Sequence, residues 1–179
     1  MNDNGSRCKV TVDGTDFGIR ELMPFNTKWY TKKYNGPGVR YEIGVCIQTG
    51  WIVWVNGPFP CGQWPDIKIA LSDLVHNFVG DERAVADSGY RGHRNYFETP
   101  WRHLDNVHQC QLKALARARH ECINRRFKQW RILHDVFRHA VVKHGVVFMA
   151  VANIEQVLIQ QNEMWQVEYN DRVDNWVEI

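Results

Sequence analysis

At 179 residues, with a hydrophobic fraction of 44% and 23% charged residues, the composition is that of a globular protein, and a chain this long buries about 70% of the surface its unfolded form exposes. No apolar run of about eighteen residues reads as a membrane helix and the polar stretch Met1 to Arg7 is no signal peptide, so one compact domain spanning 1–179, inside the cell and away from membranes, is expected. The net charge of +2 conceals an asymmetry: nine Lys or Arg face Glu121 and Asp135 between Gln111 and Gly145, a local +7, whereas six acids face only Arg172 between Glu155 and Ile179, a local −5.

The first element in chain order is KVTVDGTDFGI, residues 9–19, which alternates apolar and polar positions and predicts a strand with Asp13 at its end. Tyr41 to Gln48 and Trp51 to Asn56 are β-rich runs separated by Thr49-Gly50, the sign of a tight hairpin. Ile67, Leu71, Leu74, Val75 and Phe78 recur at helical spacing behind Pro65-Asp66. Arg83 to Ala86 predicts a short strand ending on Asp87, and Tyr96-Phe97-Glu98 another. From Val107 to Phe137 there is no Gly or Pro. Leu112, Leu115, Ile123, Phe127, Trp130, Leu133 and Phe137 form an apolar stripe, which predicts one long amphipathic helix. Gly145 is expected to interrupt the helical pattern, with a second helix from Val146 to about Gln161 and an irregular acidic tail. Strand, hairpin, helix, two short strands and then helices is the order of an RNase H-like α/β core, a mixed sheet with flanking helices.

Acids at the ends of such strands point to metal-assisted phosphoryl transfer. That chemistry needs carboxylates converging on two ions about 3.5–4 Å apart, and hard Mg²⁺ takes oxygen ligands. Asp13 and Asp87 can stand side by side at one sheet edge, and Glu121, mid-helix, can reach them only with its side chain. The blocks T-V-D-G-T-D at 11–16, A-D-S-G-Y at 86–90 and R-A-R-H-E-C-I-N-R-R-F-K at 117–128 resemble the DDE superfamily endonucleases of Harbinger-like transposons. Asp87 and Glu121 are 34 positions apart, similar to the spacing in many DDE enzymes. Arg117, Glu121 and Lys128 resemble the R-x3-E-x6-K signature of related insertion-sequence transposases, with Ala114 where a Tyr is expected. The resemblance covers about residues 10–155.

This resemblance implies a metal-dependent DNA endonuclease or transposase domain of the nucleus. Asp13, Asp87 and Glu121 would bind two Mg²⁺ or Mn²⁺, and Arg117 and Lys128, with Arg125 and Arg126 of the basic segment, would meet DNA. The helix spacing is consistent, since i,i+4 and i,i+7 put Arg117, Glu121 and Lys128 on one face, although an exposed salt-bridge ladder would show the same spacing. A domesticated remnant that binds DNA or protein without cutting is the alternative from another class. A ribonuclease H would want a further Glu on the helix after the hairpin, where Ile67–Val79 offers only Asp73. Asp13 lies too near Met1 for the N-terminal helix-turn-helix such transposases usually carry, so a truncated element copy, a fragmentary gene model and a protein that needs a separate DNA-binding partner are the alternatives, and a homo-oligomer is open.

Other candidates have competing readings. Asp16 should point away from Asp13 and cap the following turn. Asp66, in C-G-Q-W-P-D where the family tends to carry Gly-x-x-His-Asp, is either a helix cap or an auxiliary ligand. His108-x-Cys110 and His120-x-Cys122 diverge by about 200° on a helix and cannot share one zinc ion. Five cysteines, at 8, 46, 61, 110 and 122, include no C-x-x-C pair and read as reduced thiols. Trp29, Tyr30, Tyr34, Trp51 and Trp54 read as packing or as base-stacking surfaces, and Lys32, Lys33 and Arg40 keep a DNA-facing surface open beside them.

Overall fold

The computed structural model describes residues 6–20, 23–24, 26–100, 107–162 and 164–165; most of the expected acidic tail lies outside the described residues. Strand β1 (Cys8–Gly18) pairs antiparallel with β3 (Gly36–Cys46), which pairs antiparallel with β4 (Ile52–Pro60). On its other edge β1 pairs parallel with β5 (Arg83–Val85), and β5 with β6 (Phe97–Glu98). The short β2 (Tyr30–Thr31) runs beside the start of β3. The order β4-β3-β1-β5-β6 makes a mixed sheet with β1 at its centre.

Both faces of this sheet are covered. Phe17 of β1 and Val39, Tyr41, Ile43 and Val45 of β3 pack on one side against α2 (Val107–Gln129), α3 (Arg131–His134) and α4 (Val141–Gln161). Phe148 of α4 stacks on Tyr41 at 3.9 Å and on Phe127 at 4.9 Å between ring centres. The opposite face, with Val12, Ala84 and Ala86, packs against α1 (Asp66–Ser72), the short 3₁₀ turn Leu74–Asn77, Tyr90 and Phe97. Alternation along β3 therefore sends its apolar residues to the three-helix side and Arg40, Glu42 and Gly44 toward α1. Glu42 is fully buried there, its Oε2 accepting from Trp54 Nε1 at 2.8 Å.

Four expectations need correction. Asp13 lies within an 11-residue strand that continues to Gly18, rather than at its end. The expected helix over Val107–Phe137 stops at Gln129, where Trp130 takes an extended backbone (φ −75°, ψ 115°) and donates its indole N–H to Glu155 Oε1 of α4 at 2.6 Å. Helix cannot continue through Phe137, because its N–H bonds Gly18 O and its carbonyl accepts from Arg20 N. Gly145 does not break the last helix, which starts at Val141; a Cβ there would lie 3.3 Å from Pro58 Cδ, so the glycine admits close contact with β4.

Finally, α4 has 21 residues and a mean hydropathy of 1.3, long and apolar enough by length and composition to cross a membrane. This differs from the expectation that no run of about eighteen residues is apolar enough for a membrane helix. In the fold His144, Phe148, Val151, Ala152, Glu155 and Ile159 are buried in the core, which makes α4 a core helix with one exposed apolar side.

Candidate active site

Backbone register brings the two aspartates together. In the parallel β1–β5 pair Thr11 stands opposite Val85, and two residues further along each strand come Asp13 and Asp87. Asp87 does not end β5 as expected but stands two residues past it and caps the 3₁₀ turn Ser88–Tyr90, its Oδ1 accepting from Gly89 N at 2.7 Å. Asp13 is held by its own turn and by the helix above it: Oδ1 accepts from Gly14 N at 2.9 Å and Oδ2 from Asn124 Nδ2 at 3.1 Å.

Helix α2 is seated on β1 by two side chains one turn apart. His120 Nδ1 and Thr11 Oγ1 share a buried hydrogen bond of 2.8 Å, and Asn124 holds Asp13. With 120 and 124 turned to the strand, 117 and 121 fall at the edge of the same interface. Thr11, Asp13, Val85, Asp87, Arg117, His120 and Glu121 accordingly line one small cavity of about 50 Å³. His120 stays neutral, its pKa pushed down to about 4 by burial.

Electrostatics within this cluster are dominated by burial and by acids close to one another. Burial first, then the charges of Asp66, Asp87 and Glu121, push the Asp13 carboxyl up to about 7. The N–H of Gly14 acts in the opposite sense. Asp66 stands immediately across Gly14, since a Cβ on that glycine would meet Asp66 Oδ1. Asp66 makes no side-chain cap bond to α1, whose N-cap is Pro65. The capping role is therefore not the one the fold gives it. Burial raises its pKa and Arg40, whose Nε lies 3.3 Å away, lowers it.

Asp16 also departs from expectation: it caps no turn but pairs with Arg40 through two contacts, 2.6 and 2.9 Å, on the α1 side of the sheet. Its direction away from Asp13 follows from strand alternation.

The expected DNA-contacting cations separate into different settings. Arg117 lines the cavity, Arg125 is exposed, and Lys128 is half-buried near Glu121 and Asp13. Arg126 is directed elsewhere, its Nη1 3.2 Å from the buried Glu155 Oε2, so its first role is to neutralise that carboxylate. Among the aromatics, Tyr34 donates to Asp16 O at 2.6 Å, Tyr30 to Asn35 at 2.7 Å, and Trp29 packs on the core. Asn124 was missed by the sequence reading; its signal was its position three residues past Glu121, on the strand-facing side of the same helix.

The donors suit a hard divalent ion in kind, being carboxylate oxygens around one cavity with Asp13 destabilised as an anion. Among the described residues no three His, Cys, Asp or Glu side chains stand close enough to form a ready-made metal cage. No curated protein and no solved structure matches the chain. The sequence profile described as DDE superfamily endonuclease matches residues 12–158, a span that contains Asp13, Asp66, Asp87 and Glu121 and most of the fold. The chain belongs to the DDE superfamily of endonucleases.

Proposed function

We propose that this chain is the catalytic core of a DDE-type transposase or of a nuclease derived from one, with an RNase H-like fold, that cleaves DNA phosphodiester bonds with two divalent ions. The observation that carries the reading is the convergence of Asp13 of β1, Asp87 of the turn after β5 and Glu121 of α2 on one cavity that Arg117 also lines. The strand order, an antiparallel β1-β3-β4 unit extended by parallel β5 and β6, supports the fold assignment.

Asp13, Asp87 and Glu121 would hold Mg²⁺ or Mn²⁺, with Asp66 as auxiliary ligand across Gly14. Bound ions supply an activated attacking oxygen and charge stabilisation at the leaving one. The protein's share is positioning. Asn124 and the Gly14 N–H fix the rotamer of Asp13, while Gly89 N fixes that of Asp87. His120, neutral and bonded to Thr11, keeps α2 in register so that Glu121 stays over the strand ends. Arg117 would take a non-bridging phosphate oxygen as negative charge builds up on it. Water is the nucleophile for cutting, and a 3′-hydroxyl would take its place if strand transfer is retained. Genomic DNA in the nucleus, a separate DNA-binding protein and self-association complete the proposed setting.

The test is nicking of supercoiled plasmid with and without Mn²⁺. Wild type should cut only with metal, and Asp13→Asn, Asp87→Asn and Glu121→Gln should each abolish cutting while keeping the fold. Equal nicking by wild type and all three variants would overturn the assignment.

A further inference from the structure

Arg119, in the middle of α2, is the largest fully buried side chain among the described residues, 1% exposed. A guanidinium carries several N–H donors and stays charged, so burying one without acceptors is strongly unfavourable. Here Nη1 donates to Ile47 O, just past β3, whereas Nε and Nη2 have no hydrogen-bond partner. Among the described residues no carboxylate pairs with this cation. Burial holds its pKa below the usual arginine range, with Cys46 acting in the opposite sense. The two unpartnered nitrogens share one edge of the guanidinium plane. That edge is the fork that gives two parallel N–H···O bonds to a single carboxylate.

What covers this group is the stretch of chain that follows α4. Asn162 is the C-cap of that helix, its N–H on Leu158 O. The chain then passes the β3–β4 turn, where a Cβ on Gly50 (φ +77°) would lie 3.1 Å from Met164 Sδ and 3.5 Å from Arg119 Cδ. Trp165 follows, with the guanidinium carbon of Arg119 5.9 Å from its ring centre. Cation–π attraction favours that contact but offers the fork no acceptor. Beyond Trp165 the sequence holds four acids, Glu168, Asp171, Asp174 and Glu178, against one cation, Arg172. Glu168 comes first, three residues on. Extended chain of that length spans at most about 11 Å, enough to return its carboxylate to the fork beside Trp165.

We propose that Arg119 is the docking point of the acidic segment 166–179, and that Glu168 fills its Nε–Nη2 fork as a bidentate carboxylate. The contact fastens the segment where α2 meets the β3–β4 turn. Residues two apart on a helix diverge by about 200°, so Arg119 faces away from Arg117 and Glu121, and the segment is held on a different side of α2 from the cavity. Phosphates entering the cavity then meet its cations without this run of acids beside them. The inference goes beyond the nuclease reading and does not depend on it.

The experiment uses the full chain. Arginine Nε–H signals are followed by proton–nitrogen NMR, that of Arg119 being assigned by its loss in Arg119→Lys. In wild type this proton should exchange slowly with solvent, in Glu168→Ala at least about tenfold faster, and in the control Asp174→Ala at the wild-type rate. Urea unfolding gives the second readout. Glu168→Ala should lower the folding equilibrium constant about ten- to a hundredfold in wild type and leave it unchanged in an Arg119→Met background. Should Arg119→Met not fold, the exchange rate in Glu168→Ala decides alone. Glu168→Ala matching Asp174→Ala in exchange and stability would overturn the docking. So would Glu163→Ala causing the loss in place of Glu168→Ala, which would put the partner ahead of Trp165. Protection that arises only on adding inorganic phosphate or duplex DNA would overturn it too, because Arg119 would then hold an anion from outside the chain.

Discussion

Burial first, and then the charges of Asp66, Asp87 and Glu121, push the Asp13 carboxyl up to about 7. A divalent ion that binds only the folded state should relieve this and stabilise by about 2.7 kcal/mol at a hundred times its Kd. A rise in melting temperature with Mn²⁺ is expected for wild type and should vanish in Asp87→Asn; a wild-type melting curve indifferent to millimolar Mn²⁺ would count against a metal site. Glu42, on the other face, gives a pH effect independent of metal. Burial raises its pKa from 4.5 to about 7, with Trp54 N–H acting in the opposite sense. Between those values the unfolded chain has lost the proton and the folded one keeps it, so this group makes stability fall as pH rises, by at most about 1.4 kcal/mol per pH unit. Glu42→Gln removes that fall, and its advantage over wild type should grow from pH 4.5 to 7 and then level off. Urea melts at several pH values would show it, and parallel curves for the two proteins would sink the idea. That Asp13, Asp87 and Glu121 come to one cavity could be anticipated from sequence because Gly turns and helical spacing are local signals, although Asp13 lies inside β1 and Asp87 past β5. Neither Glu42's burial nor Asp66's place across Gly14 could, since each depends on how α1 closes over a strand far away in sequence.

The helices show a similar division between local pattern and tertiary override. Of the apolar stripe from Leu112 to Phe137, Ile123, Phe127, Leu133 and Phe137 are buried as expected, whereas Leu115 is exposed. Continuity across Trp130 did not follow from that stripe. The break arises because Trp130 is tied to Glu155 and because Phe137 gives its backbone hydrogen bonds to the end of β1. Neither partner is visible in a periodicity. The same tertiary contact separates two neighbouring arginines that the sequence treats alike. Arg126 neutralises Glu155, a carboxylate 4% exposed that among the described residues also accepts from the Trp130 indole, whereas Arg125 is exposed. Arg126→Gln should therefore destabilise by about 1–3 kcal/mol, and Arg125→Gln should stay within about 0.5 kcal/mol. Chemical denaturation of both variants checks the difference, and equal stabilities would mean that the α2–α4 ion pair contributes nothing.

Over the whole molecule, the β1–β3–β4 part of the sheet could be read from sequence because a short turn joins β3 and β4. The parallel placement of β5 and β6 on the other edge of β1 has no such local signal; it is set by Ala84, Val85 and Phe97 packing between α1 and α2. Folding also sorts the basic segment, which the sequence presents as nine cations. Lys113 is 3.5 Å from Glu98, Arg119 is buried with its guanidinium on Ile47 O, Arg126 serves Glu155, and Arg131 pairs with Asp135. Arg117, Arg125, Lys128, Arg138 and Lys143 remain, and phosphate contacts of this kind carry affinity without base information. If these five meet phosphates, log K for duplex binding should fall with log salt at a slope of roughly −4 to −5. The value for nine would be roughly −8. A salt titration against unrelated duplexes of equal length measures both the slope and the sequence dependence. Removing charge at Arg125 should flatten the slope by about 0.9 without creating a preference among the duplexes. A slope near that for nine contacts would mean the intramolecular pairs open on DNA. Affinity that differs a hundredfold between duplexes, or that ignores salt, would mean that this fold reads bases directly and that phosphate contact is not what holds it to DNA.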